Sequence, residues 1–175
     1  ALTAELTLRY PDGHTDTICT DASWQTAESA VRFSELYDGE TYDAAFEPSV
    51  WTPAVICDGP TDTLIEQQGE PVREQERIAP ARIFKTPAGE IVVDFGQNIA
   101  GVCRLRLPCQ MNEGQKVVIE HAEMLDEDGT LYMAPLRGVK ARDEFISSGR
   151  KYNNEYFVPA FTYHGFRYAQ ISGYE

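Results

Sequence analysis

The sequence predicts an all-β protein, an antiparallel β-sandwich of jelly-roll type, built as one sandwich or as two packed sandwich modules. Three observations carry this. Short runs of branched and aromatic residues recur along the chain, each bounded by turn residues. Ten prolines and thirteen glycines fall mostly between those runs. No stretch keeps a heptad, and there is no internal repeat or low-complexity segment. The length of 175 residues suits one full-sized domain or two small sandwiches, and a 42% apolar fraction is enough to build a core.

Taken in order, Ala1–Tyr10 alternates as a strand through Leu2, Leu6, Leu8 and Tyr10. Pro11-Asp12-Gly13 closes it as a type I or II turn, and Thr15–Thr20 pairs back. Thr26–Leu36 reads as strand or coil: Ala27, Ala30, Val31 and Ser34 allow a short helix, but Val31 and Phe33 alternate. Pro48, Pro53 and Pro60 make Glu47–Thr61 a loop, because proline lacks the backbone donor that a sheet needs. Leu64–Glu70 and Pro71–Ile78 read as extended, and a module boundary is placed near Ala79–Pro80.

Beyond it, Arg82–Lys85 is a strand, and Ile91–Leu107 reads as a hairpin. Its arms would be Ile91–Phe95 and Val102–Leu107, around a turn, Gly96–Gly101, that has glycine at both ends. Strands are then expected at Gln115–Glu123, Thr130–Met133, Asp143–Ser147, Tyr156–Val158 and Arg167–Ser172.

Charge narrows the function classes. With 28 acidic against 15 basic groups the net charge is −13, a field that repels phosphate backbones and anionic membrane surfaces. Nucleic acid and membrane are therefore not expected as partners. No run of 18 apolar residues is available to span a bilayer as a helix. The chain opens without a basic n-region or an apolar h-region, so a signal peptide is expected to be absent or removed. Cys19, Cys57, Cys103 and Cys109 show no CxxC spacing and read as free thiols of a reducing compartment, the cytoplasm rather than the exterior.

Several motifs suggest chemistry and are weighed against plainer roles. Asp94-Phe95-Gly96 comes without the catalytic loop, glycine-rich loop and ATP-pairing strand lysine of a kinase, leaving a strand end where Asp94 and Asn98 bond the turn backbone. Asp126-Glu127-Asp128-Gly129 starts like a calcium loop, but the twelfth position is Arg137 instead of glutamate. Glu120 and Glu123 form a carboxylate pair of a kind common by chance in so acidic a chain, so a glycosidase acid pair is not assigned. Phe161–Tyr168 reads as a loop entering a core strand, with Phe161, Phe166 and Tyr168 packed and His164 hydrogen-bonded. Tyr37–Ala44 differs in kind. Asp38, Glu40 and Asp43 cluster about Gly39, and clustered oxygens on a glycine turn are what a hard cation takes. Tyr37, Tyr42 and Trp51 would offer flat apolar faces to a sugar ring held there.

Read together, ELYDGETYDA, VVDFGQNIAG, HAEMLDEDGTLY, LRGVKARDEF and FTYHGFRYAQISG resemble, in order and approximate spacing, segments of the bacterial α-L-rhamnosidases. The resemblance runs from about Leu6 to Gly173. It implies the non-catalytic region before the catalytic barrel: 1–78 as the C-terminal part of an N-terminal jelly-roll module, and 79–175 as a second β-sandwich. In the family an (α/α)6 barrel carries the acidic pair for inverting hydrolysis of terminal L-rhamnose, with a signature close to DCPxRDERxGW that this sequence does not contain. The fragment is therefore expected to be no enzyme by itself, to need no cofactor, and to partner the barrel of its parent chain. The alternative implied by the family is a carbohydrate-binding module for L-rhamnose or rhamnosylated glycans. It would use calcium on Asp38, Glu40 and Asp43, with Tyr37, Tyr42 and Trp51 at the sugar.

Overall fold

The computed structural model describes residues 2–59 and 65–174. The expected strand start at Leu64 and the loop end at Pro60 and Thr61 lie outside them. The described strands are β1 (Glu5–Arg9), β2 (Thr15–Cys19), β3 (Gln25–Thr26), β4 (Val31–Glu35), β5 (Gly39–Asp43), β6 (Thr52–Pro53) and β7 (Arg82–Lys85). They continue with β8 (Ile91–Gly101), β9 (Leu105–Arg106), β10 (Glu113–Ala122), β11 (Arg142–Ser148), β12 (Tyr156–Phe157) and β13 (His164–Ser172). No helix among the described residues is long and apolar enough to cross a membrane.

The chain divides into two compact units, Ala1–Glu28 with Pro48–Val72, and Ser29–Glu47 with Arg73–Glu175. In the first, β1 and β2 form the expected hairpin, with Leu8 opposite Asp16 and Leu6 opposite Ile18. Asp12 shapes its turn by accepting the His14 N–H. β3 pairs with β6, so the proline-rich loop does hold a two-residue edge strand.

The second unit is built on one sheet in the order β4-β5-β11-β10-β13-β8-β7, with a separate β12-β9 ribbon. Every pairing in the large sheet is antiparallel except β5 with β11, where Thr41 lies opposite Glu144 in a parallel ladder. Thr26–Leu36 thus resolves to the strand β4. Both β4 and β5 precede the expected boundary near Ala79–Pro80, yet they belong to this sheet. The core lies between one sheet face (Val93, Val117, Ile119, Phe145, Phe166, Ala169) and the ribbon with its flanks (Leu107, Met111, Tyr152, Phe157). Strand alternation puts Val117, Ile119 and His121 of β10 on that same face.

Three expectations fail for identifiable reasons. The 91–107 hairpin does not exist: β8 runs unbroken to Gly101, flanked by β7 and β13. Its register jumps from Tyr168 opposite Asp94 to Phe166 opposite Ile99, so residues 95–98 bulge against Arg167 alone. Gly96, at φ 79°, supplies the left-handed residue of that bulge, and the Asp94 carboxylate accepts its N–H at 2.7 Å. Asn98 bonds the side chain of Glu123 rather than the turn backbone. Residues 65–81 carry no strand, and Thr130–Met133 contributes only the bridge between Leu125 and Leu131. Within 65–81, Pro71 and Pro80 each withhold a ladder donor.

Candidate functional site

The three carboxylates of the glycine turn are placed but not gathered. The turn at 36–38 leads directly into β5, and Gly39 opens that strand at φ 111°. Asp38 accepts the Lys140 N–H at 3.0 Å and lies beside Thr41, Lys140 and Arg142 in a shallow pocket. Glu40 is buried, and one of its oxygens accepts the N–H groups of Ala160 and Phe161, each at 2.9 Å. Asp43 accepts the Ala45 N–H in a local turn. Each carboxylate is committed to a different backbone segment, which is the work of structural carboxylates.

Of the expected aromatic platform, Tyr42 is engaged elsewhere. Tyr42 packs on the core, its ring stacked on Phe145 with centroids 6.0 Å apart. Tyr37 is exposed, and Trp51 is exposed in the other compact unit. The pocket at Phe33, Asp38, Thr41, Lys140, Arg142 and Glu144 has about 160 Å³, well below the roughly 300 Å³ at which ligand clefts begin. Its Glu144 carboxylate is already held by Lys116 at 2.8 Å and Arg142 at 3.0 Å.

The densest chemistry sits elsewhere, at the polar end of the sandwich core. His121 is the last residue but one of β10, Asp143 begins the inward face of β11, and His164 opens β13. β10 lies between β11 and β13, so the sheet brings the three together from residues up to 43 apart. Asp143 is fully buried and accepts the Glu40 N–H at 3.0 Å, while His164 Nε2 approaches the same oxygen at 3.2 Å. The two imidazoles stack with centroids 4.3 Å apart, and Phe166 meets His121 edge-on. His121 Nδ1 lies 2.9 Å from the Ala141 carbonyl. Burial and the neighbouring His164 push the His121 pKa down to about 4, against the pull of Asp143 and Ala141, so its ring is neutral. Cys103 belongs to the same core; burial, and secondarily the charge of Asp143, push its thiol up to about 12.

Sequence reasoning had His164 hydrogen-bonded but missed Asp143 and His121 as its companions. No local motif joins them, and only the strand order does. Of the carboxylate pair weighed from the sequence, Glu123 is tied to Asn98, and Glu120 follows the β10 alternation to the face opposite His121.

The large sheet with its β12-β9 ribbon defines a β-sandwich of the concanavalin-like class. Residues 84–175 match the family profile described as the bacterial alpha-L-rhamnosidase concanavalin-like domain, and residues 1–76 match that of the alpha-L-rhamnosidase N-terminal domain. The chain belongs to the bacterial α-L-rhamnosidase family. It is 33% identical to an alpha-L-rhamnosidase of Streptomyces avermitilis over 99% of its own length and 18% of that protein's. It is 32% identical to one of an Alteromonas species over 98% and 20%. Among solved structures, the native enzyme of Aspergillus terreus aligns at TM-score 0.89 and 33% identity over 98% of this chain and 20% of its own. The Streptomyces avermitilis enzyme complexed with L-rhamnose aligns at 0.88 and 32% over 99% and 18%. The chain thus spans about a fifth of the relatives it matches.

Proposed function

We propose that this chain is a non-catalytic β-sandwich region of an α-L-rhamnosidase, supporting a catalytic barrel that hydrolyses terminal α-L-rhamnosides and shaping the approach to it. The reading rests chiefly on one observation: almost the whole chain aligns with only 18–20% of proteins described as alpha-L-rhamnosidases. The geometry supports it. Glu120 is half-buried in β10 on the face opposite His121 and Glu123 is engaged by Asn98, which does not favour them as the acid and base that inverting hydrolysis needs roughly 6.5–9.5 Å apart across the sugar. A calcium-dependent sugar site would need Asp38, Glu40 and Asp43 on one ion, and their separate backbone partners disfavour it. The test is turnover. The purified chain should release no aryl leaving group from an aryl α-L-rhamnoside above the blank. Turnover that falls in Glu120→Gln or Glu123→Gln would overturn the proposal.

A further inference from the structure

We propose that His121, Asp143 and His164 bind one divalent transition-metal ion of the zinc class, as a structural site at the polar end of the sandwich core. The inference goes beyond the reading above and does not depend on it.

The donor geometry comes first. One ligand atom from each of the three residues lies within 4.8 Å of the others, and all three residues are buried. This is the one such group of three among the described residues. A hydrogen-bond inventory supplies the second observation. The Ala141 carbonyl can only accept, so His121 Nδ1 carries the proton in their 2.9 Å contact. Nε2 is then the ring nitrogen left over for a further partner. It lies 3.8 Å from Asp143 Oδ2, beyond hydrogen-bond reach, and both buried atoms lack any hydrogen-bond partner. Two buried polar atoms left unpartnered side by side are costly unless an ion or proton lies between them.

The surroundings suit a metal ion in that role. An imidazole whose far nitrogen donates to a carbonyl has its tautomer and ring orientation fixed for metal ligation through Nε2. Asp143 is oriented in turn by the Glu40 N–H, and His164 Nε2, which donates to the same Asp143 oxygen at 3.2 Å, would release that proton on binding the ion. Two imidazole nitrogens and one carboxylate match zinc and its neighbours, whereas calcium and magnesium take oxygen ligands. The dication would also offset the carboxylate charge inside the core. Exposure of 4% or less at each ligand leaves no route for substrate, so the role is structural, with the ion taken up as the chain folds.

The test uses the untagged chain, purified without chelators and assayed for metals by mass spectrometry. About one zinc-class ion per chain is expected, with a lowered melting temperature in chelator that added Zn²⁺ restores. Cobalt-loaded protein should show visible d–d absorption. His164→Asn and the independent His121→Gln should each reduce the metal content about tenfold or more, while His14→Gln, at the exposed third histidine, should leave it unchanged. Less than about a tenth of an ion per chain, with no response to added Zn²⁺, would overturn the proposal and leave a water or a proton between the two acceptors. Metal retained in both core-histidine variants would overturn it equally.

Discussion

Gly39 begins β5 with its Cα pressed against the backbone of β11. A Cβ built there would lie 2.0 Å from the Arg142 carbonyl oxygen and 2.9 Å from Asp143 Oδ1, at a φ of 111° that side chains rarely adopt. Gly39→Ala should therefore cost about 3 kcal/mol or more, read from the urea midpoint. A loss under about 1 kcal/mol would contradict this packing. Asp94 gives a residue-level effect of pH. The bidentate guanidinium of Arg167, at 2.9 and 3.1 Å, holds the Asp94 carboxyl below its ordinary 3.8, with the Gly96 N–H assisting and burial opposing. The unfolded chain binds that proton first as pH falls. Stability from the pair is thus complete above about pH 4 and is lost below it, as pH drops through the lower folded value. Asp94→Asn should cost about 1–2 kcal/mol at pH 7, a range already discounted for the 39% exposure of Arg167, and the deficit should shrink by pH 3. A deficit equal at both pH values would show that the charge is not what matters. The local role of Asp94 was legible in the sequence because an aspartate two residues before a glycine bonds that residue's N–H. Arg167 was not legible, because 73 residues separate it from its partner.

At the scale of elements, the strands that pattern alone could find were those with clean alternation and ordinary turns, β1, β2, β7, β10, β11 and β13, with the short β12. β8 was misread because a bulge glycine and a hairpin glycine leave the same mark, a positive-φ residue between two apolar runs. What separates them is the partner strand, and β13 lies more than 60 residues further on. The stretch 65–78, read as extended, forms no strand, because no neighbour pairs with it and Pro71 withholds a ladder donor. Packing between elements converges on Phe145 of β11. Its ring meets Tyr42 from β5, Tyr152 before β12, and Phe157 within β12, at centroid distances of 6.0, 5.5 and 5.5 Å. Removing it opens a cavity that touches both layers of the sandwich. Phe145→Ala should cost about 3–5 kcal/mol in equilibrium unfolding. A cost near 1 kcal/mol would mean that the ribbon collapses onto the sheet and fills the space.

Across the whole molecule, the least legible feature was the membership of Ser29–Glu47. These residues stand between two segments of the first compact unit, yet β5 joins the large sheet of the second through the parallel ladder to β11. Parallel pairing leaves no turn signature, and a contact of such sequence separation has no local trace. The candidate site shares this limit, since its ligands meet only through the order of β11, β10 and β13. The two units also differ in how much they bury. Every residue of the core cluster belongs to the second unit, while no described residue of Ala1–Glu28 or Pro48–Val72 is buried. Backbone amides open locally where few apolar contacts resist it, and only by global unfolding where the core is dense. Hydrogen exchange should therefore rank the strands of the isolated chain. Amides of β8, β10, β11 and β13 should be the slowest, including those of Val117, Ile119 and Phe145. Those of β1, β2, β3 and β6 should exchange many-fold faster, and β4 and β5 should follow the large sheet rather than their neighbours in sequence. Exchange in β5 as fast as in β3 would break the assignment of Ser29–Glu47 to the second unit. Protection in β1 and β2 equal to that of β10 would show that the first unit is held by contacts its exposure does not reveal.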